Sequence, residues 1–385
     1  MKVTPKFYPP MWPENYHKLD YSYWQEAEKK WKEKQYYTAF KNFLDFINPR
    51  IRQNYEVEPN THFRVPHGSS IINIYTTETS ATLICYLAKI EPADIQAVYI
   101  RSLMLNNNHL RYIQLTIDNN VLVIKHEIDF ASQTLLDQYK VLKEICLTAD
   151  HLDDLIIQQY RATFYAEPQI KKLGNTDKIL ARSIAKAILQ ESNEYLRFFE
   201  WQNNTNNCLA ILRMALKRID LALQPQGYIK SEITTAQAIL TDDKLPVKER
   251  IITGKLLYDL IKNMSVEDFD KNIYLAEHFM PEKKILPVVA LLEIFKECNV
   301  KLLTHIGNKD YLTGATLVIS DLYSILYQYL LTNESRKTIL LALQESAEKD
   351  WQLACKFLNY QLEDLIADKN FGNQHASVGN AWLNY

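Results

Sequence analysis

Along the 385-residue chain, hydrophobic positions recur with two different periods. Short alternating runs lie between helical stripes in the first part, and helical stripes dominate the rest. The most regular run is LRYIQLTIDNNVLVIKHEID, residues 110–129. Its pattern predicts two strands folded about Asn119 and Asn120. A two-residue type I′ turn needs φ > 0 at both loop positions, which asparagine tolerates better than most residues. That turn sets Ile117 opposite Leu122, Leu115 opposite Ile124 and Ile113 opposite His126 on an apolar face. It sets Thr116 opposite Val123, Gln114 opposite Lys125 and Tyr112 opposite Glu127 on a mixed face. A slip of one residue would exchange the faces, so the turn chemistry and the alternation specify the same register.

The flanks complete a layered plan. Trp24, Ala27, Trp31, Phe40, Leu44 and Ile47 predict a helix over 21–47, ended by Asn48-Pro49. Strands follow at about 61–65, 71–76 and 81–90, separated by the turn-rich PHGSS and TTETS. Pro92 opens a helix, where its missing N–H costs nothing, and Asn106-Asn107-Asn108 closes it. Ser132 is expected to cap a long helix whose stripe runs Leu135, Tyr139, Leu142, Cys146, Ala149, Leu152, Ile156 and Tyr160. The expected fold class is α+β, an antiparallel sheet covered on its apolar face by helices.

This order of elements, with RYIQLTIDNNVLVIKHEID followed by LLDQYKVLKEICLTADHLDDLI, resembles the YbjN / type III secretion chaperone-like domain over residues about 20–165. The resemblance implies a chaperone, adaptor or sensory module that holds another polypeptide, often as a dimer. It carries no catalytic signature, so it implies no site residues.

Residues 167–176, EPQIKKLGNT, read as a linker between an α+β domain (21–166) and an all-α helical bundle domain (177–369). Helical stripes are expected over 178–201, 209–223, 247–263, 265–279, 282–298, 309–332 and 335–368. Breaks are expected at Pro225-Gln226-Gly227, Asp242-Asp243, Asn263 and Gly307-Asn308. No repeat of 33–47 residues stands out. Residues 1–20, with Phe7, Tyr8, Met11 and Trp12, suit an extended arm that docks its aromatic side chains or moves freely. Residues 370–385 read as a tail with Trp382 and Tyr385 as possible anchors.

Composition narrows the function classes. Lys and Arg number 44 against 46 Asp and Glu, a near balance without the broad basic footprint that nucleic-acid binding requires. The first residues lack an apolar secretory core, and no run approaches 18 apolar residues, so a cytoplasmic, membrane-free protein is expected. Cys85, Cys146, Cys208, Cys298 and Cys355 are odd in number and lack C-x-x-C spacing, which suits buried free thiols.

Chemical motifs are sparse. Eight glycines form neither GxGxxG nor a phosphate loop, and Gly68-Ser69-Ser70 reads as turn chemistry. None of the nine histidines, including His62, His67 and His151, has HExxH or Cys/His zinc spacing. His126 reads as a boundary histidine of the sheet. Glu91, Asp94, Glu144 and Asp153 could act as paired carboxylates only if folding joined them. No catalytic residue, cofactor or metal is therefore assigned. The expected activity is polypeptide binding, with a possible homodimer, and the best surface candidates are Tyr112, Gln114, Thr116, Val123 and Lys125. The alternatives are a small-molecule sensor or enzyme with a pocket between the domains, and an immunity protein that blocks a partner.

Overall fold

The computed structural model describes residues 2–14, 19–286 and 288–367. The expected tail at 370–385 lies outside them. The first half runs α1 (Tyr21–Lys32), α2 (Tyr36–Ile47), α3 (Ile51–Tyr55), β1 (Glu56–Glu58), β2 (His62–His67), β3 (Ser70–Thr76), β4 (Ser80–Ile90), α4 (Ile95–Asn108), β5 (Leu115–Asp118), β6 (Val121–Asp129), α5 (Leu135–Gln159) and β7 (Ala162–Phe164). These strands form one antiparallel sheet in the order β1-β2-β3-β4-β6-β5. The last strand, β7, pairs with the end of β4 beyond the reach of β3. Helices cover its apolar face, so the α+β layering is as the pattern predicts.

Asn119 and Asn120 both adopt positive φ, and the register is Leu115 with Ile124, Thr116 with Val123 and Ile117 with Leu122. The ribbon is shorter than the alternation suggests. Pairing stops at Leu115, because the Glu144 carboxylate on α5 accepts the backbone N–H groups of Arg111, Tyr112 and Ile113 at 2.9, 2.7 and 3.0 Å. Tyr112, Ile113 and Gln114 therefore lie in a loop and do not face Glu127, His126 and Lys125 across a ladder. Strand β6 instead pairs along its whole length with β4.

Several helices also differ from expectation: Gly227–Thr241 is not among the expected stripes, the one expected over 282–298 runs Val288–Gly307, and three boundaries have a local cause. The stripe over 21–47 is two helices, because Lys34 turns left-handed (φ 61°) and the Gln35 N–H reaches the Lys30 carbonyl, a helix-stopping pattern. The cap of α5 is Thr134, whose hydroxyl accepts the Asp137 N–H while Asp137 accepts the Thr134 N–H. The stripe over 335–368 breaks at Glu348, which also turns left-handed.

Beyond β7 come β8 (Ile170–Lys172), α6 (Asn175–Trp201), α7 (Thr205–Leu223), α8 (Gly227–Thr241), α9 (Val247–Asn263), α10 (Val266–Lys271), β9 (Tyr274–Ala276), α11 (Val288–Gly307), α12 (Tyr311–Gln328), α13 (Asn333–Ser346) and α14 (Trp351–Ala367). The segment read as a linker thus contains a strand, β8, which pairs with β9 inside the helical half. Backbone pairing there overrides the helical pattern expected over 265–279. Past β9 the chain returns to the first half and places Phe279 and Met280 in its core. The arm docks on the helical half: Phe7, Tyr8, Met11 and Trp12 pack against its core, and the Met11 N–H donates to the Ala222 carbonyl. The five cysteines are buried and free. No helix among the described residues is long and apolar enough to cross a membrane.

Candidate functional site

The most chemically loaded place in the fold is the seam between the halves. Three segments build it. The β2–β3 turn supplies His67, Gly68, Ser69 and Ser70. The last turns of α5 supply Asp150, His151, Asp153 and Asp154, and the stretch after β9 supplies His278 and Glu282. An isolated antiparallel bridge joins His67 to His278, and the Gly68 N–H donates to the Glu277 carbonyl at 2.9 Å.

Any other residue at Gly68 would have to displace the Asp150 carboxylate. The glycine φ is +62°, and an added Cβ would lie 1.5 Å from Oδ1 of Asp150. The close approach lets the Ser69 N–H donate to Asp150 Oδ1 at 3.1 Å. The Ser69 and Ser70 hydroxyls donate to Asp153 at 2.8 and 2.6 Å. The Tyr274 hydroxyl donates to Asp154 Oδ2 at 2.9 Å. On the other side of the cluster, Asp150 Oδ2 lies 3.6 Å from His278 Nε2, and Glu282 Oε1 lies 3.9 Å from His151 Nε2. Glu282 Oε2 meets Lys230 of α8 at 2.8 Å, and Lys230 also meets Asp220 at 2.9 Å.

Burial and like charge separate the carboxylates. Burial raises Asp153 well above the usual carboxylate range, with Asp154 and Asp150 adding to it and the serine hydroxyls opposing it. Burial also raises Asp154, to about 6, against the hydrogen bond from Tyr274. Asp150 moves the other way: burial would raise it, but the polar contact and charge of nearby His278, with His67 and His151, hold it below its ordinary value. His278 is raised in return, since Asp150 and Glu282 outweigh its burial. Glu282 is held low against burial by Lys230, His151 and His278. His67, fully buried and facing the His278 charge, falls to about 3 and is neutral at physiological pH.

The cluster lies between two cavities. One of about 80 Å³ touches Lys217, Lys230, His278 and Glu282. Another of about 700 Å³ touches Ser69, Asp154, Lys172 and Tyr274. No protein-family model matches the chain, and no curated protein matches it either.

The residues expected to form a surface behave differently from one another. Tyr112, Gln114, Thr116 and Lys125 are exposed, whereas Val123 is only 5% exposed. Val123 does lie on the outer face, but it sits between Tyr86 of β4 and Thr116 of β5, and Tyr86 stacks on Tyr165 beside it. The candidate carboxylates do not converge. Asp94 pairs with Arg161 at 2.8 Å, Glu144 holds the hairpin loop, and only Asp153 enters the seam.

The missed site left two signals in the sequence. Asp150, Asp153 and Asp154 fall at i, i+3 and i+4, so they share a helix side that touches the apolar stripe. His67 stands directly before the one glycine of its turn. What no spacing could supply was the third segment, about 120 residues further on, which folds back against both.

Proposed function

We propose that the protein is a non-catalytic, chaperone-like or adaptor module that holds an amphipathic helix of a polypeptide partner against α4 and the adjoining hairpin. The observation that carries this reading is the outward side of α4. Tyr99, Ile100, Leu103 and Met104 form one stripe there and are between 42 and 53% exposed, while the helix buries only Val98 and Ser102. Neighbouring exposed apolar side chains at helical spacing mark an interaction site more often than chance exposure does. The helix carries a single charge, Arg101, so the matching surface is apolar and not a counter-charged one.

The adjoining edge favours helix docking over strand addition. Strand β5 ends the sheet, but the Asn106 side chain already fills the edge beside Leu115, accepting its N–H at 2.8 Å and donating to its carbonyl at 3.0 Å. Exposed Tyr112, Thr116 and Lys125 border this position.

Crosslinking and mass spectrometry on protein isolated from native extract tests the proposal, with light scattering to separate a second copy from a foreign chain. The expected crosslinks, made with a photoactivatable reagent because residues 95–116 hold no lysine or carboxylate, map to that stretch, and an Ile100→Glu, Leu103→Glu double variant that keeps its melting temperature loses the partner. A partner retained at full yield by that variant would sink the reading.

A pocket between the halves is the second reading, favoured by the polar groups from both halves that meet at Ser69, Asp154 and Tyr274 beside the larger cavity.

A further inference from the structure

We infer that the seam is a binding site for a divalent first-row transition ion such as Zn²⁺, with Asp150, His278 and Glu282 as its protein ligands. One ligand atom from each of these residues lies within 4.8 Å of the others. Imidazole nitrogen with carboxylate oxygen is the donor set that zinc and its neighbours take, at about 2.0–2.2 Å. Ligand atoms around a tetrahedral ion at that distance stand about 3.4 Å apart, so binding requires the three groups to close by roughly an ångström.

Two further observations point to an ion at this place, and a third fixes the role of His67. First, the Nε2 atoms of His67, His151 and His278 are buried and none makes a hydrogen bond of ordinary length: His278 and His151 stop 3.6 and 3.9 Å from Asp150 Oδ2 and Glu282 Oε1. Buried polar atoms are nearly always paired, and two imidazole nitrogens held just beyond hydrogen-bond reach of two carboxylate oxygens leave room for a shared ion. Second, each carboxylate is already held by one oxygen and presents the other. Asp150 is fixed at Oδ1 by the Ser69 N–H and turns Oδ2 to His278. Glu282 is fixed at Oε2 by Lys230 and turns Oε1 to His151. Outer contacts of that kind orient metal ligands.

Third, His67 packs edge-on against His278, with ring centroids 5.1 Å apart, and its Nδ1 accepts the Met280 N–H at 3.3 Å. That bond places the His67 proton on Nε2, where it has no acceptor. His67 thus supplies a donor to the cluster and not a ligand. The ion would tie α5 of the first half to the segment after β9 of the second. The inference is independent of the α4 reading, because the two places share no residue.

The test uses the full chain, stripped with a chelator and titrated with Zn²⁺ against a chromophoric competitor. One ion per chain is expected, with a rise in melting temperature. His278→Gln and Glu282→Gln should each weaken binding at least tenfold, while His305→Gln, at a surface pair with Asp310, should not. X-ray absorption at the zinc edge of the loaded wild-type protein decides the case even if the variants misfold. A nitrogen and oxygen shell with imidazole scattering supports the site. A sulfur shell, no uptake by the stripped protein, or unchanged affinity in both seam variants would overturn it.

Discussion

Two positions along α5 meet loops through carboxylates, and they do so in opposite ways. Near its middle, Glu144 gathers three backbone N–H groups from residues 111–113 at the molecular surface. Two turns later, Asp150 and Asp153 meet the β2–β3 turn where both are buried. Glu144 receives full hydrogen-bond compensation, and its outward side faces water. The later pair lies in a low-dielectric seam where burial pushes Asp153 up and the imidazoles of His278 and His151 stop 3.6 and 3.9 Å short of Asp150 and Glu282. Stability alone would be served by apolar side chains at such a place, because desolvating charges costs more than an imperfect pairing returns. The first contact is therefore an anchor for the hairpin, and the second has the marks of a site.

The sharpest way to break this contrast is at Gly68. Gly68→Ala puts a methyl where Asp150 now sits, at a left-handed φ, and the expected loss is about 4 kcal/mol or failure to fold. Gly307→Ala, which meets nothing within 4 Å, provides the control and should change stability by less than about 1 kcal/mol. Urea denaturation of both variants measures the difference. Equal costs would mean that the Asp150 contact is slack and the seam is not built to tolerance.

A buried charge outside the cluster extends the comparison. Lys217 of α7 lines the smaller cavity, yet its Nζ meets only the Ser324 hydroxyl, at 2.6 Å. Burial, and then repulsion from Arg213, lowers it to about 7 against the pull of Asp321. Between about 7 and the ordinary lysine value the unfolded chain holds a proton that the folded chain does not. Stability should therefore rise with pH across that window, by at most about 1.4 kcal/mol per pH unit. Lys217→Met should abolish that slope and be most stabilising, relative to wild type, at or below neutral pH. Parallel stability curves for the two proteins from pH 7 to 10 would refute the assignment.

What the sequence disclosed was local. Alternation and the Asn119-Asn120 turn specify the hairpin register down to the residue pair, because both are read within a dozen positions. The boundaries it missed, at Lys34, Thr134 and Glu348, turn on backbone angles or capping bonds that periodicity does not encode. The strand β8 was hidden for a different reason: three residues of a strand pair become visible only with the partner, and β9 lies about a hundred residues away. The seam combines both difficulties. Its acids occupy a helix side that would be solvated if α5 had one neighbour, and it is the helical half folding onto α5 that buries them.

The smallest expected effect sharpens the comparison most directly. Glu144→Gln keeps the shape of the side chain but removes its charge and one acceptor oxygen, so Tyr112 and Ile113 can keep a neutral acceptor while the Arg111 N–H faces an NH2 donor. The expected cost is about 2 kcal/mol, since hydrogen bonds to an ionised group are roughly twice as strong as neutral ones. The loop carries Tyr112 and leads into β5, so the loss should appear first as faster hydrogen exchange at Arg111, Tyr112, Ile113 and Leu115. Exchange in the last turns of α5 should stay as slow as in wild type, because local openings follow the contacts that are lost. If the amides near Asp150 and Asp153 also loosened, the helix would be transmitting strain from the hairpin to the seam. The anchor and the site would then be one coupled unit, and partner binding at α4 would be expected to alter the affinity of the seam for its ion.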